Sequence, residues 1–170
     1  MHACCSLALI AAVVIVPACV TGCASSSNDQ SGAAPEQPGQ SAPTGSPVAD
    51  LAALVGQWTL ATLGGQDVAA MVPAGARVPM LDFAGNGQVA GFAGVNRLST
   101  RLDPAALLTD QPLFGPAVTT RMAGPEPLMS LEDRFLEALE QTRAARIDAG
   151  TLSLLGPEGQ TLATLVKSPG

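Results

Sequence analysis

Cys23 is the residue whose neighbours most clearly indicate chemistry, in this case covalent attachment of lipid. Residues 7–16 are uninterruptedly apolar, LALIAAVVIV. That is the length of the apolar part of a secretory signal peptide. It is too short to span a bilayer, because a bilayer-spanning helix needs roughly 20 apolar residues. The small-residue sequence Val20-Thr21-Gly22 leads directly to Cys23. We therefore predict a signal peptide at residues 1–22 and lipidation of Cys23; the alternative is an ordinary secretory signal in which Cys23 has no role.

Few other side chains could carry out catalysis, bind a metal or undergo redox chemistry. His2, Cys4, Cys5 and Cys19 all precede the predicted cleavage site, tyrosine is absent, and the only lysine is Lys167. The processed chain would lack Ser-His-Asp and Cys-His nucleophiles, histidine metal ligands and redox cysteines. Its scattered aspartates have no spacing that forces two together: Asp82, Asp103, Asp110 and Asp148. We predict no catalytic site, no metal site and no cofactor, so the protein is not expected to be an enzyme.

The charge balance argues against nucleic acid as a partner. The formal net charge is −6, and lysine and arginine form no cluster along the chain. A polyanion-binding surface needs clustered cations that displace counterions. The predicted partner is instead a membrane, reached through the lipid on Cys23.

Composition divides the chain after the predicted lipid site. Residues 23–50 are rich in Ser, Pro, Gly, Gln and Ala, with almost no side chains to bury. Such a segment cannot offset its ordering entropy, so we predict a disordered tether. Residues 51–170 are then expected to form one domain. Its core must rely on Leu, Val and Ala, because the chain has only four Phe and one Trp.

Alternating apolar residues and turn signals predict a mostly antiparallel sheet in this domain. The Asn86-Gly87 pair favours a tight hairpin turn, and Ala149-Gly150 marks a second hairpin. The predicted strands are residues 54–60, 80–83, 88–92, 97–102, 145–148, 151–155 and 160–166.

One segment predicts a helix, residues 130–141. Ser130 is a favourable N-cap, and Pro125 and Pro127 are expected to prevent an earlier start. An apolar stripe follows the helical period: Leu131, Phe135, Ala138 and Leu139. The predicted fold class is α+β, with a partly open, barrel-like sheet and one main helix packed on it.

Several possible binding residues have simpler structural interpretations. Asn96 is favoured as a turn residue bonded to its own backbone, with ligand contact as the alternative, and Arg97 beside it is a second polar candidate. Arg121 is expected to be solvated, and Trp58 to lie in the core. A hairpin accounts for three glycines that lack phosphate-loop spacing: Gly85, Gly87 and Gly91.

Four motifs follow one another along the predicted domain. They are LVGQWTL at residues 54–60, VAGFAGVN at 89–96, TTRMAGP at 119–125 and EDRFLEAL at 132–139. In their order and spacing, residues 51–166 resemble the META domain family, which includes heat-shock protein HslJ-like lipoproteins. The corresponding family patterns are L-x-G-x-W-x-L, G-x-x-G-C-N, T-x-M-A-C-P and E-x-x-F-L-x-x-L.

Two departures from these patterns suggest a spatial contact. Val95 and Gly124 occupy the two positions where the family patterns have cysteine. Loss of a mutually bonded pair would explain their joint replacement, whereas independent roles for the cysteines would make it coincidence. We predict that these two residues lie within the separation that a disulfide requires.

The resemblance implies a non-catalytic, membrane-anchored lipoprotein of the cell envelope, with a role in stress tolerance. The residue after Cys23 is Ala24 rather than aspartate, so the outer membrane, facing the periplasm, is the expected location in a cell with two membranes. The alternative function is a periplasmic binding module that holds a small apolar ligand or lipid inside the sheet.

Overall fold

The computed structural model describes residues 45–169. The predicted signal peptide, Cys23 and most of the predicted tether lie outside the described residues. The described residues form ten strands: β1 Ser46–Pro47, β2 Gly56–Leu63, β3 Gln66–Asp67, β4 Met80–Phe83, β5 Gln88–Phe92, β6 Arg97–Arg101, β7 Val118–Thr119, β8 Ala144–Asp148, β9 Thr151–Leu155 and β10 Thr161–Lys167. The α-helices are α1 Val68–Met71 and α2 Glu126–Gln141, and short 3-10 helices span Leu51–Ala53 and Pro104–Leu108.

All strand pairs are antiparallel, and the strands form one sheet. Its order is β1-β8-β9-β10-β2-β4-β5-β6-β7, with β3 paired to β2 beside this path. The sheet is not closed, because β1 and β7 are its two ends. The predicted α+β class, with a mostly antiparallel open sheet and one main helix, is confirmed.

Both predicted hairpins are present with the predicted strands. Asn86 Oδ1 accepts a hydrogen bond from the Gln88 amide at 3.0 Å, which shapes the turn between β4 and β5. In the β8–β9 turn, Ala149 and Gly150 have φ values of 44° and 82°. Two consecutive positive φ values are typical of the turn type that connects tight hairpins. The turn residues alone were therefore enough to predict this hairpin.

Residues 46–48, on the N-terminal side of the predicted domain boundary at Leu51, are part of the sheet region. β1 pairs with β8, the Val48 amide donates to the Ala145 carbonyl at 2.9 Å, and the Val48 side chain is buried. The first long strand, by contrast, begins at Gly56 rather than at Leu54. Leu54 is buried from within a turn that follows a 3-10 helix capped by Asp50. Its apolar character therefore reflected core contact rather than strand structure.

The main helix also begins earlier than predicted. Helix α2 starts at Glu126, with Pro125 as the N-cap and Pro127 in the first turn. Proline is compatible with the first turn because the amides there have no acceptor within the helix. The expectation that both prolines precede the helix was therefore wrong, and Ser130 lies inside it. The predicted apolar stripe is confirmed as buried: Leu131, Phe135, Ala138 and Leu139.

The core lies between α2 and the sheet. Trp58 on β2 and Phe135 on α2 are each at most 1% exposed, and leucines from both sheet halves complete the cluster. The Trp58 indole N–H donates to the Leu54 carbonyl at 2.7 Å, so burial leaves its polar atom satisfied. The core position predicted for Trp58 is confirmed. Within residues 45–169, no helix has the length and apolar character needed to cross a membrane.

Candidate functional site

Asn96 is the buried centre of a hydrogen-bond cluster where three chain segments meet. Its side chain is 3% exposed. Asn96 Oδ1 accepts from the Thr120 hydroxyl at 2.9 Å and from the Met122 amide at 2.8 Å. Its Nδ2 donates to the Met122 carbonyl at 3.2 Å and to Glu132 Oε1 at 2.8 Å. The predicted turn role for this side chain was wrong, because its partners lie 24 or more positions away.

Glu132 supplies the acceptors on the helix side of this cluster. Its Oε2 accepts from the Val95 amide at 3.0 Å and from the Asn96 amide at 2.7 Å, while Oε1 accepts from Asn96 Nδ2. Glu132 is 4% exposed, and a carboxylate buried to this extent requires such donors to offset its desolvation. We call these side chains, Asn96, Thr120 and Glu132, the Asn96–Glu132 cluster.

Gly94 allows the chain to approach α2 closely enough for these bonds. Its φ is +148°, and a Cβ at this position would lie 2.8 Å from the Leu128 carbonyl oxygen on α2. Because that neighbour is backbone, any side chain would push the loop away from the helix. The motif residues Gly94 and Asn96 thus act together to hold the β5–β6 loop against α2.

Val95 and Gly124 lie next to each other beside the cluster. A Cβ built on Gly124 would be 3.2 Å from the Val95 Cβ. Disulfide-bonded cysteines have Cβ atoms roughly 3.5–4.5 Å apart, so a small adjustment would accommodate the bond. The proximity that the family resemblance implied is confirmed.

We expect the double variant Val95→Cys, Gly124→Cys to form a disulfide when air-oxidised. The bond would close a loop of about 30 residues and raise the stability by about 3 kcal/mol, less any strain from the short approach. Thiol titration and thermal melts with and without reductant measure both effects. The single variant Val95→Cys is the control and should show no reductant dependence; equal melting temperatures for the oxidised and reduced double variant would contradict the prediction.

A second feature, a surface cavity, lies on the opposite face of the sheet. Its volume is about 230 Å³, and it spans β4, β5 and β6. Arg97 projects into its lining, although the neighbouring Asn96 is buried in the cluster on the other side. The Arg77 guanidinium carbon lies 5.1 Å from the centre of the Phe92 ring, a cation–π distance. The cavity is lined by Arg77, Met80, Asp82, Ala90, Gly91, Phe92 and Arg97.

The remaining candidates occupy structural or exposed positions. Asp103 Oδ1 caps a 3-10 helix by accepting from the Ala105 amide at 2.9 Å, Asp110 and Asp148 are exposed, and Asp82 lines the cavity. Arg121 is exposed, as expected. Among residues 45–169, no group of three His, Cys, Asp or Glu side chains is placed to hold a metal ion. The three hairpin glycines lie on β5 or in the turn before it, as the structural interpretation required: Gly85, Gly87 and Gly91.

Sequence reasoning missed Glu132 as a site residue. A helix that began after Ser130 would place Glu132 in its first turn, where negative charge is favourable, but α2 begins at Glu126 and Glu132 lies in the helix interior. The available signal was its position as the first residue of the helix motif. Three of the four motifs in fact contribute one member each to the Asn96–Glu132 cluster: Asn96, Thr120 and Glu132.

The fold and this cluster define a small α+β domain in which hydrogen bonds join a sheet loop to a helix. The META domain family model matches residues 49–169, which is most of the chain. The protein belongs to the META domain family. Among curated protein sequences, none matches this chain significantly.

Two solved structures have similar folds. An NMR structure of a protein from Burkholderia xenovorans is 24% identical in sequence, with a TM-score of 0.52. The match covers 81% of this chain and 100% of that one. A second NMR structure is 20% identical with a TM-score of 0.46, covering 66% of this chain and 88% of that one. At this level of identity the first similarity supports the fold alone.

Proposed function

We propose that the protein is a non-catalytic lipoprotein of the cell envelope, in which lipid on Cys23 holds a META domain at a membrane surface. The observation that carries this proposal is the placement of Cys23 directly after a short apolar segment and the small residues Val20-Thr21-Gly22. In a cell with two membranes, the outer membrane is the proposed location, with the domain in the periplasm. The stress-related role rests on the family resemblance and belongs to the same proposal.

The non-catalytic part of this proposal is supported by the way the buried polar groups of the described domain are used. In the Asn96–Glu132 cluster, Asn96 and Glu132 are buried and bond to each other, and Thr120 bonds to Asn96. No buried side-chain nitrogen or oxygen in the described part of the chain lacks a hydrogen-bond partner. This mutual satisfaction supports a structural role for the Asn96–Glu132 cluster.

Replacing Cys23 by serine should release the protein from membranes. The thiol is the proposed site of all the lipid, and each buried methylene contributes about 0.8 kcal/mol, so several acyl chains hold firmly. The measurement is fractionation of cells followed by immunoblotting of membrane and soluble fractions. The matched control is Cys19→Ser, which changes a cysteine within the predicted signal peptide and should leave the protein in the membrane fraction. Retention of the Cys23→Ser protein in membranes would overturn the anchoring proposal.

The binding-module alternative gains less support from the interior. The space between α2 and the sheet is occupied by large, fully buried side chains that include Trp58, Phe83 and Phe135. Phe83 and Phe114 pack with ring centres 6.2 Å apart. A ligand held inside the sheet would have to displace these core side chains. The proposed anchoring function leaves them in place.

A further inference from the structure

The cavity on the outer face of the sheet has a composition that differs from the rest of the chain. The whole protein has eight Lys and Arg residues against fourteen Asp and Glu. Two of its arginines, Arg77 and Arg97, border this cavity together with a single carboxylate, Asp82. The cavity therefore has a local excess of positive charge on a protein that is negative overall.

Strand register fixes the arrangement of this lining. Met80 is paired with Phe92 across β4 and β5, and Phe92 with Arg97 across β5 and β6. These three side chains form one row on the outer face, because the residues next to them, Leu81 and Leu98, are buried on the core side. Arg97 thus stands at the end of a row that begins with apolar groups.

The two guanidinium groups remain available to a ligand. Arg77 contacts the Phe92 ring, and its Nη2 lies 3.2 Å from the Met80 sulfur. No carboxylate of residues 45–169 forms an ion pair with Arg77 or Arg97, and both residues are exposed. The Asp82 carboxylate accepts a hydrogen bond from Gln57 Nε2 at 3.4 Å. Planar guanidinium groups of this kind favour carboxylate and phosphate oxyanions.

We propose that this cavity binds a small organic monocarboxylate. Its carboxylate contacts Arg97 and Arg77, and its apolar body packs against Phe92 and Met80. The cavity is open to solvent and has a volume of about 230 Å³, so it suits a ligand smaller than those that fill pockets of about 300 Å³ or more. Asp82 disfavours a second negative charge on the ligand, which selects monoanions over dianions. This inference does not depend on the anchoring proposal.

The test is an NMR titration of the chain from residue 23 onward carrying Cys23→Ser, which keeps every described element. Benzoate is the probe, benzamide is its neutral isostere, and inorganic phosphate tests the other oxyanion. We expect benzoate to change the amide chemical shifts of Ala90, Gly91 and Phe92, and we expect these changes to saturate at millimolar benzoate. Benzamide and phosphate should bind at least about tenfold more weakly, a difference equivalent to about 1.4 kcal/mol. Equal binding of benzamide, stronger binding of phosphate, or no saturable shift with benzoate would each overturn the proposal.

Variants separate the cavity from general surface charge. Arg97→Gln and Arg77→Gln should each weaken benzoate binding by about tenfold. Arg101→Gln is the matched control, since Arg101 is exposed on the same strand but does not line the cavity. Unshifted amides elsewhere in each variant verify the fold. Benzoate affinity that is unchanged in both Arg97→Gln and Arg77→Gln, or reduced as much in Arg101→Gln, would contradict the assignment.

Discussion

Glu132→Ala should lower the free energy of unfolding by about 3 to 5 kcal/mol, because it removes the acceptors of the Asn96–Glu132 cluster. The Asn96 amide and Asn96 Nδ2 are buried donors that bond to this carboxylate, and the Val95 amide is a partly buried third. A buried donor left without its partner costs roughly 1 to 3 kcal/mol. Urea denaturation followed by circular dichroism gives the difference directly.

Two further variants identify the cause of this loss. Glu140→Ala changes an exposed glutamate on the same helix and should alter stability by less than about 0.5 kcal/mol. Glu132→Gln keeps the volume but directs an amide N–H₂ toward groups that are themselves donors, so it should remain clearly destabilised. If Glu132→Gln unfolded at the same urea concentration as the parent protein, the hydrogen bonds would not be the source of stability.

Phe135→Ala should cost a similar amount, about 3 to 5 kcal/mol, through loss of packing. Phe135 is 0% exposed and belongs to the stripe that holds α2 against the sheet. The substitution leaves a cavity that neighbouring side chains can fill only in part. Thermal melts and urea denaturation are suitable measurements, because Trp58 is retained as a fluorescent reporter of the core.

Phe135→Leu provides the graded comparison for this packing effect. It should recover more than half of the loss, because most of the apolar volume returns. Ser130→Ala is the surface control on the same helix, where the side chain is exposed and no longer expected to act as a cap. A Phe135→Ala protein as stable as Ser130→Ala would mean that α2 does not depend on its apolar stripe.

Sequence patterns were sufficient for elements whose information is local. The β4–β5 and β8–β9 hairpins depend on turn residues between alternating strands, and both were predicted correctly. The start of α2 was not, because Pro127 is compatible with either the first helical turn or the segment before it. The start at Ser130 was predicted on the assumption that Pro127 must precede the helix. Proline is excluded only from the helix interior, and the first turn accepts it.

The candidate sites were harder to predict because their partners are distant in sequence. Asn96 and Glu132 are 36 positions apart, and nothing near Asn96 indicates a buried carboxylate partner. The apposition of Val95 and Gly124 was predictable, since two family cysteines were replaced together. The arginine cavity was not, because Arg77 lies outside the regular strands and meets Phe92 only through the tertiary fold.

The position of β10 has a consequence for how the chain becomes a folded molecule. β10 lies between β9 and β2, and the Thr62 and Thr164 hydroxyls, 102 positions apart, bond at 2.7 Å. A chain delivered with its N-terminus first leaves β2 with an unpaired edge until residues 161–167 arrive. Such late, non-local pairing slows folding and exposes a strand edge to incorrect partners. Until then the two halves of the sheet have no strand that joins them, so the sheet cannot be completed before the last strand is made.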